Sequence, residues 1–133
     1  MDAKGRVFFP SEFRRALPGD GAEMVMKRDI FQPCLTVYTA AAWDAEVESL
    51  RARLNRWNAR EMMVFRQFMA DAACFSLDAN GRFILPRRLV ELCGMGREVH
   101  FIGVDDRVEI WGAEQRAARF LTDEELGAAL ETL

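Results

Sequence analysis

One nine-residue pattern occurs twice in this chain and constrains the fold more than any other feature. Asp2-Ala3-Lys4-Gly5-Arg6-Val7-Phe8-Phe9-Pro10 returns 76 positions later as Asp78-Ala79-Asn80-Gly81-Arg82-Phe83-Ile84-Leu85-Pro86. Asp, Ala, Gly, Arg and Pro keep their offsets, and an apolar triplet precedes each proline. Self-similarity at a fixed period marks a supersecondary unit used twice. Past each proline a short helix is predicted, over 11–17 and 87–93, stopped by Pro18-Gly19 and by Gly94. Alternating β-rich runs follow at 35–38 and 108–111, each ending in an aromatic residue, with partner strands predicted upstream at 23–27 and 98–102.

Each half then closes in helices. Thr39 stands where it caps a helix that carries Trp43, Val47, Leu50, Leu54 and Trp57 on one face. All three tryptophans, Trp111 included, are expected in the core. Asn58 with Glu61 forms a second cap, and the helix it starts is expected to carry Met62, Phe65 and Met69 toward the next half. A further helix is predicted over 113–121, and Thr122 with Glu125 caps a last one. The resulting division is a first unit over 1–57, a connecting helix over 58–70 and a second unit over 71–133. The halves differ in one respect: a strand is predicted at 71–77 before the second motif, and the first motif has no counterpart, so an unpaired strand edge is expected in the first half.

Composition narrows the function. Half of the 133 residues are hydrophobic and 29% are charged, the balance of an ordinary globular protein. No window is apolar enough for a membrane span, and no signal-peptide pattern stands at the start, so a cytoplasmic location is expected. Cys34, Cys74 and Cys93 are odd in number and widely spaced, which argues against a disulfide framework and a zinc site. The sole histidine, His100, lies among β-forming residues, and no phosphate-binding loop or nucleophile motif is present, so neither a catalytic group nor a cofactor is expected. The net charge is −3. Much of the negative charge gathers near the end, at Asp123-Glu124-Glu125 and Glu131, while the stretch 80–97 carries Arg82, Arg87, Arg88 and Arg97 against Glu91 alone. Basic patches therefore fit on an acidic chain.

The repeated loop has a definite chemistry. Asn80-Gly81 is a strong hairpin-turn pair, since both residues tolerate positive φ, and Lys4-Gly5 is a weaker one. Across such a turn Asp2 can meet Arg6, and Asp78 can meet Arg82. A carboxylate that binds a guanidinium fixes the direction of its donor fork. A fixed fork suits guanine, which presents O6 and N7 together in the major groove, and a two-stranded ribbon is narrow enough to enter. A lone exposed ion pair would only brace the turn, contributing about 0–1 kcal/mol. Two copies with the same turn chemistry favour recognition. DNA-binding candidates are thus Asp2, Lys4, Arg6, Asp78, Asn80 and Arg82, with Arg14, Arg15, Arg87 and Arg88 as candidate phosphate contacts.

These doubled motifs, together with Cys34-Leu35-Thr36-Val37-Tyr38 and the run from Gly103 to Trp111, resemble the signature of the MraZ family over nearly the whole chain. The resemblance implies a β-rich α+β fold: a pseudo-twofold tandem of AbrB-like swapped hairpins forming a barrel with peripheral helices. It also implies ring-shaped homo-oligomers, binding to repeated sites on double-stranded DNA in the nucleoid, and repression of the division and cell-wall gene cluster. In that family the Asp and Arg of each motif, here Asp2, Arg6, Asp78 and Arg82, are linked to DNA binding. Two other readings are an antitoxin of the same hairpin type, whose helices capture a toxin, and a small β-barrel enzyme. The short helical tail disfavours the first, and the lack of a polar catalytic cluster disfavours the second.

Overall fold

Alternation of buried and exposed side chains sets the two strands that follow the repeated turns. A computed structural model describes residues 1–15 and 23–133. In it, β1 (Arg6–Phe8) pairs antiparallel with β5 (Arg82–Ile84) as an isolated two-stranded ribbon. The register matches Arg6 with Ile84, Val7 with Phe83 and Phe8 with Arg82, so each residue faces the repeat equivalent of its mirror position. Val7, Phe9, Phe83 and Leu85 point inward and are buried.

The other strands form one antiparallel sheet. Its members are β2 (Met24–Arg28), β3 (Cys34–Thr39), β4 (Ala73–Phe75), β6 (Val99–Val104) and β7 (Arg107–Gly112), in the order β4-β2-β3-β7-β6. The central β3–β7 ladder again exchanges equivalents: Cys34 faces Trp111, Thr36 faces Glu109 and Tyr38 faces Arg107. One face of this sheet packs on the ribbon. Met24, Met26, Leu35, Val37 and Ile110 meet Val7, Phe9, Phe83 and Leu85, and Leu89 and Cys93 of α4 (Arg87–Leu92 with its C-cap) close the cluster. The halves therefore share one core. Without that burial, three-residue strands would not hold.

The opposite face is covered by a helical hairpin, α2 (Ala40–Arg53) and α3 (Ala59–Ala70). Trp43 lies between Tyr38 and Phe68, stacked on the latter at 5.6 Å, and Phe65 and Met69 join the same cluster with Val25 and Val47. Beneath Phe68 lies Lys27, only 3% exposed, with Nζ 4.3 Å from the ring centroid. Burial lowers its pKa, and the nearby Asp71 carboxylate opposes that shift. The short α1 (Ser11–Arg14), α5 (Ala113–Arg119) and α6 (Asp123–Glu131) complete the chain. No described helix is long and apolar enough to cross a membrane.

Several expectations require correction. The described strands form two sheets and no closed barrel, because β1 and β5 spend their pairing on each other and leave β4 and β6 as open edges. The unpaired edge does not fall in the first half: β4, from the second half, adds to β2 of the first, while among the described residues the corresponding outer edge of β6 has no strand. Helix α3 turns back onto the first half instead of leading toward the next. Trp57 is 86% exposed and not core. Helix α2 stops at Arg53, and Asn55 accepts the Trp57 amide at 3.0 Å in a local turn that competes with a further helical turn. Glu61 reaches the Asn55 amide at 3.1 Å instead of closing a box with Asn58. The cap at Thr39 and the reciprocal box at Thr122 and Glu125 are present as read. Helix α1 is described only to Arg14, and the expected stop at Pro18-Gly19 lies outside the described residues.

Candidate nucleic-acid interface

The two repeated turns are built alike, atom for atom. Gly5 N donates to Asp2 O at 3.1 Å and Asp2 N to Arg6 O at 3.0 Å; Gly81 N donates to Asp78 O at 3.0 Å and Asp78 N to Arg82 O at 2.8 Å. This is a type I turn followed by a left-handed glycine, the three-residue hairpin connection. Only the glycines carry positive φ, +80° at Gly5 and +78° at Gly81. The expected two-residue turn with Asn80 also at positive φ is not formed, and Lys4 therefore serves as well as Asn80.

Each aspartate organises its own turn. Asp2 Oδ1 accepts from the amides of Lys4 and Arg6 at 3.0 and 2.9 Å, and Oδ2 accepts from Arg6 Nε at 2.7 Å. Asp78 repeats this with Asn80 N and Arg82 N, both at 2.9 Å, and Arg82 Nε at 3.2 Å. The backbone N–H of the following arginine is the main reason that both carboxyls titrate below the ordinary 3.8. Nε is the clamped nitrogen in both turns, so the carboxylate does not occupy the terminal nitrogens of either guanidinium.

The antiparallel ribbon sets these turns at its opposite ends, yet the register brings both arginines to one surface. Arg6 and Arg82 line a cleft of about 460 Å³ together with Asp2, Phe8 and Phe101. Lys4 and Asn80 contribute their amides to the turns and expose their side chains at the tips. The arginines outside the turns differ among themselves. Arg14, on α1, lies against the second turn, where a Cβ on Gly81 would meet its guanidinium. Arg15 is exposed, Arg87 faces Glu91 at 3.5 Å, and Arg88 shares Asp71 with Arg28, at 3.2 and 3.3 Å. Arg14 corresponds to Val90 in the second repeat, so this cation has no counterpart at the first turn.

Sequence reasoning did not anticipate the outer face of the ribbon. Phe8 and Ile84 belong to the apolar triplets that precede each proline, yet they are 67% and 62% exposed beside the arginines. The alternation around them was the available signal, since residues on either side of a buried Val7 or Phe83 must point outward. Nor did it anticipate that Asp29, Cys34 and Glu109 converge within 4.8 Å. Their atoms already serve the fold: Asp29 accepts the amides of Phe31 and Gln32, Glu109 accepts Trp111 Nε1, and burial keeps the Cys34 thiol protonated.

Comparison with known proteins agrees with the doubled architecture. The family model of the MraZ protein, an antitoxin-like family, matches residues 1–67 and again 68–121. The chain is 43% identical to a transcriptional regulator MraZ of Bacteroides thetaiotaomicron, over 99% of this chain and 85% of that protein. It is 44% identical to one of Bacteroides fragilis, over 99% and 84%, and 32% identical to one of Yersinia enterocolitica, over 84% and 73%.

Proposed function

The chain belongs to the MraZ family, and from that premise we propose that it is a sequence-specific DNA-binding regulator of transcription, a repressor of the division and cell-wall gene cluster. The relatives above carry the name of transcriptional regulator. The observation that carries the reading is the pair of aspartate-clamped arginines at the two ends of one exposed ribbon. Each presents a fixed donor fork of the kind that reads guanine in the major groove. Lys4 and Asn80 extend the contact at the turn tips, and Arg14, Arg15, Arg87 and Arg88 flank it as phosphate contacts.

The architecture supports a finer reading. Residues 1–57 and 71–133 form two interlocked swapped-hairpin units, joined by 58–70. The exchange of repeat equivalents across β1–β5 and β3–β7 supports this division. We further place the protein in the cytoplasm, on the nucleoid, as a ring-shaped homo-oligomer. Exposed Phe31, Trp57, Met63 and Val64, all on or beside the α2–α3 hairpin, support self-association.

The test is a mobility-shift titration with the double-stranded fragment upstream of the protein's own coding sequence. Wild-type protein is expected to bind that fragment in preference to a scrambled one. Arg6→Ala and Arg82→Ala are each expected to lose about 1–3 kcal/mol per contact while keeping the wild-type thermal melt. Unchanged affinity in either variant removes its turn from the recognition surface.

A further inference from the structure

The ribbon carries two large apolar side chains that folding does not require. Val7, Phe9, Phe83 and Leu85 already supply its buried face. Phe8 and Ile84 occupy the opposite face, and the register sets Phe8 across from Arg82 and Ile84 across from Arg6. The surface is thus a two-by-two array in which apolar groups and cations alternate along both strands. The Arg82 guanidinium lies 5.9 Å from the Phe8 ring centroid, so cation and ring form one continuous patch.

Resting on the DNA-binding reading, we propose that Phe8 and Ile84 read thymine 5-methyl groups beside the guanines contacted by Arg6 and Arg82. Three features select this occupant. The cations at opposite corners match the guanine acceptors and the phosphates that border the groove. The apolar groups at the other two corners match the only apolar group that the major-groove edge of a base pair displays, the thymine methyl. The dimensions agree as well: residues two apart on a strand are separated by roughly 6.6 Å, about two base-pair steps, and the ribbon is narrower than a groove of about 12 Å. A recognised site would then hold guanine and thymine at such offsets on both strands, related by the symmetry of the ribbon.

The experiment uses the same upstream fragment, synthesised either with thymine or with uracil throughout, which removes only the methyl groups. Wild-type protein is expected to bind the uracil fragment more weakly, by about fourfold for each methyl contacted, the worth of one buried apolar carbon. The double variant Phe8→Ala with Ile84→Ala is expected to bind the thymine fragment with the weakened affinity and to show no difference between the two fragments. Both positions are exposed, so its thermal melt should match the wild type. If wild-type protein binds both fragments equally while still rejecting scrambled DNA, the apolar pair does not read methyl groups, although the DNA-binding reading stands. If the double variant keeps the wild-type methyl preference, other residues supply it and the proposal falls. If the double variant instead lowers the oligomer mass without changing the methyl ratio, the patch is a contact between copies. Failure of wild-type protein to bind either fragment overturns this proposal together with the reading on which it rests.

Discussion

At the scale of single residues, each repeated turn depends on one glycine and one aspartate. A residue with a Cβ costs about 1–2 kcal/mol in the left-handed region, so Gly5→Ala and Gly81→Ala should each destabilise by at least that order in urea titrations. The two should differ in kind. A Cβ on Gly5 would lie 3.2 Å from the Leu85 carbonyl, a backbone atom that cannot swing away. On Gly81 it would meet the Arg14 guanidinium, which can. Gly5→Ala is therefore expected to lose more stability, and Gly81→Ala to move Arg14; equal losses with Arg14 undisturbed would contradict the packing at both turns. The aspartates give a second expectation. Their folded pKa values are depressed, so their contribution is present above the unfolded carboxyl value and is lost as pH falls through the folded one. Carboxyl carbon shifts followed by NMR should place both midpoints below the ordinary 3.8. The pairing of Asp2 with Arg6 and of Asp78 with Arg82 was legible because a turn is a local structure. The positive φ expected at Asn80 was not formed, since dipeptide preference alone does not distinguish a two-residue turn from a type I turn with a trailing glycine.

At the scale of elements, the helical hairpin on the sheet's far face is held by stacking more than by its caps. Trp43 is sandwiched between Tyr38 and Phe68, and removing a buried aromatic of this size costs about 3–5 kcal/mol. Trp43→Ala should therefore come close to unfolding the α2–α3 hairpin, detectable as increased amide exchange across α3. Asn58→Ala, which removes one side chain that accepts from two amides, should cost only about 1 kcal/mol. A larger loss for Asn58→Ala than for Trp43→Ala would mean that the hairpin is secured at its bend and not by its stack. The caps were visible in sequence because capping is set within four residues. The path of the chain between the helices was not: Leu54 and Trp57 continue the apolar spacing of α2, yet Asn55 breaks the helix and leaves Trp57 in solvent. Apolar periodicity reports what a helix would bury if it continued, and the side chain that ends it acts at a single position.

At the scale of the whole molecule, the strands were legible and their partners were not. Alternation located β3 and β7, but nothing in either segment says that they pair with each other, or that β4 crosses to the first half to join β2. Pairing of this range is decided by the shared core, in which residues from both repeats contribute one side each. The same interlocking fixes the geometry of function. A chain of net charge −3 cannot hold DNA by its overall field, so the proposed DNA-binding reading requires the few cations that the ribbon presents, multiplied by the number of copies in the proposed assembly. Two measurements then stand together. Light scattering at micromolar concentration should give a mass several times that of the 15.2 kDa chain. A salt titration of that assembly on the upstream fragment should fall steeply, by roughly 10³-fold or more between 50 and 200 mM, as expected for about six phosphate contacts. One chain engaging alone would give a much shallower slope, because a single ribbon offers two clamped arginines and few neighbours. Removing one recognition repeat from the fragment should weaken binding more than in proportion, since the linked contacts act through effective concentration. A monomeric mass, or a shallow slope indifferent to the number of repeats, would deprive the DNA-binding reading of its mechanism. A high mass with a shallow slope would separate the two questions, assigning the apolar surface of the α2–α3 hairpin to assembly and leaving the ribbon without a role in that assembly's affinity for DNA.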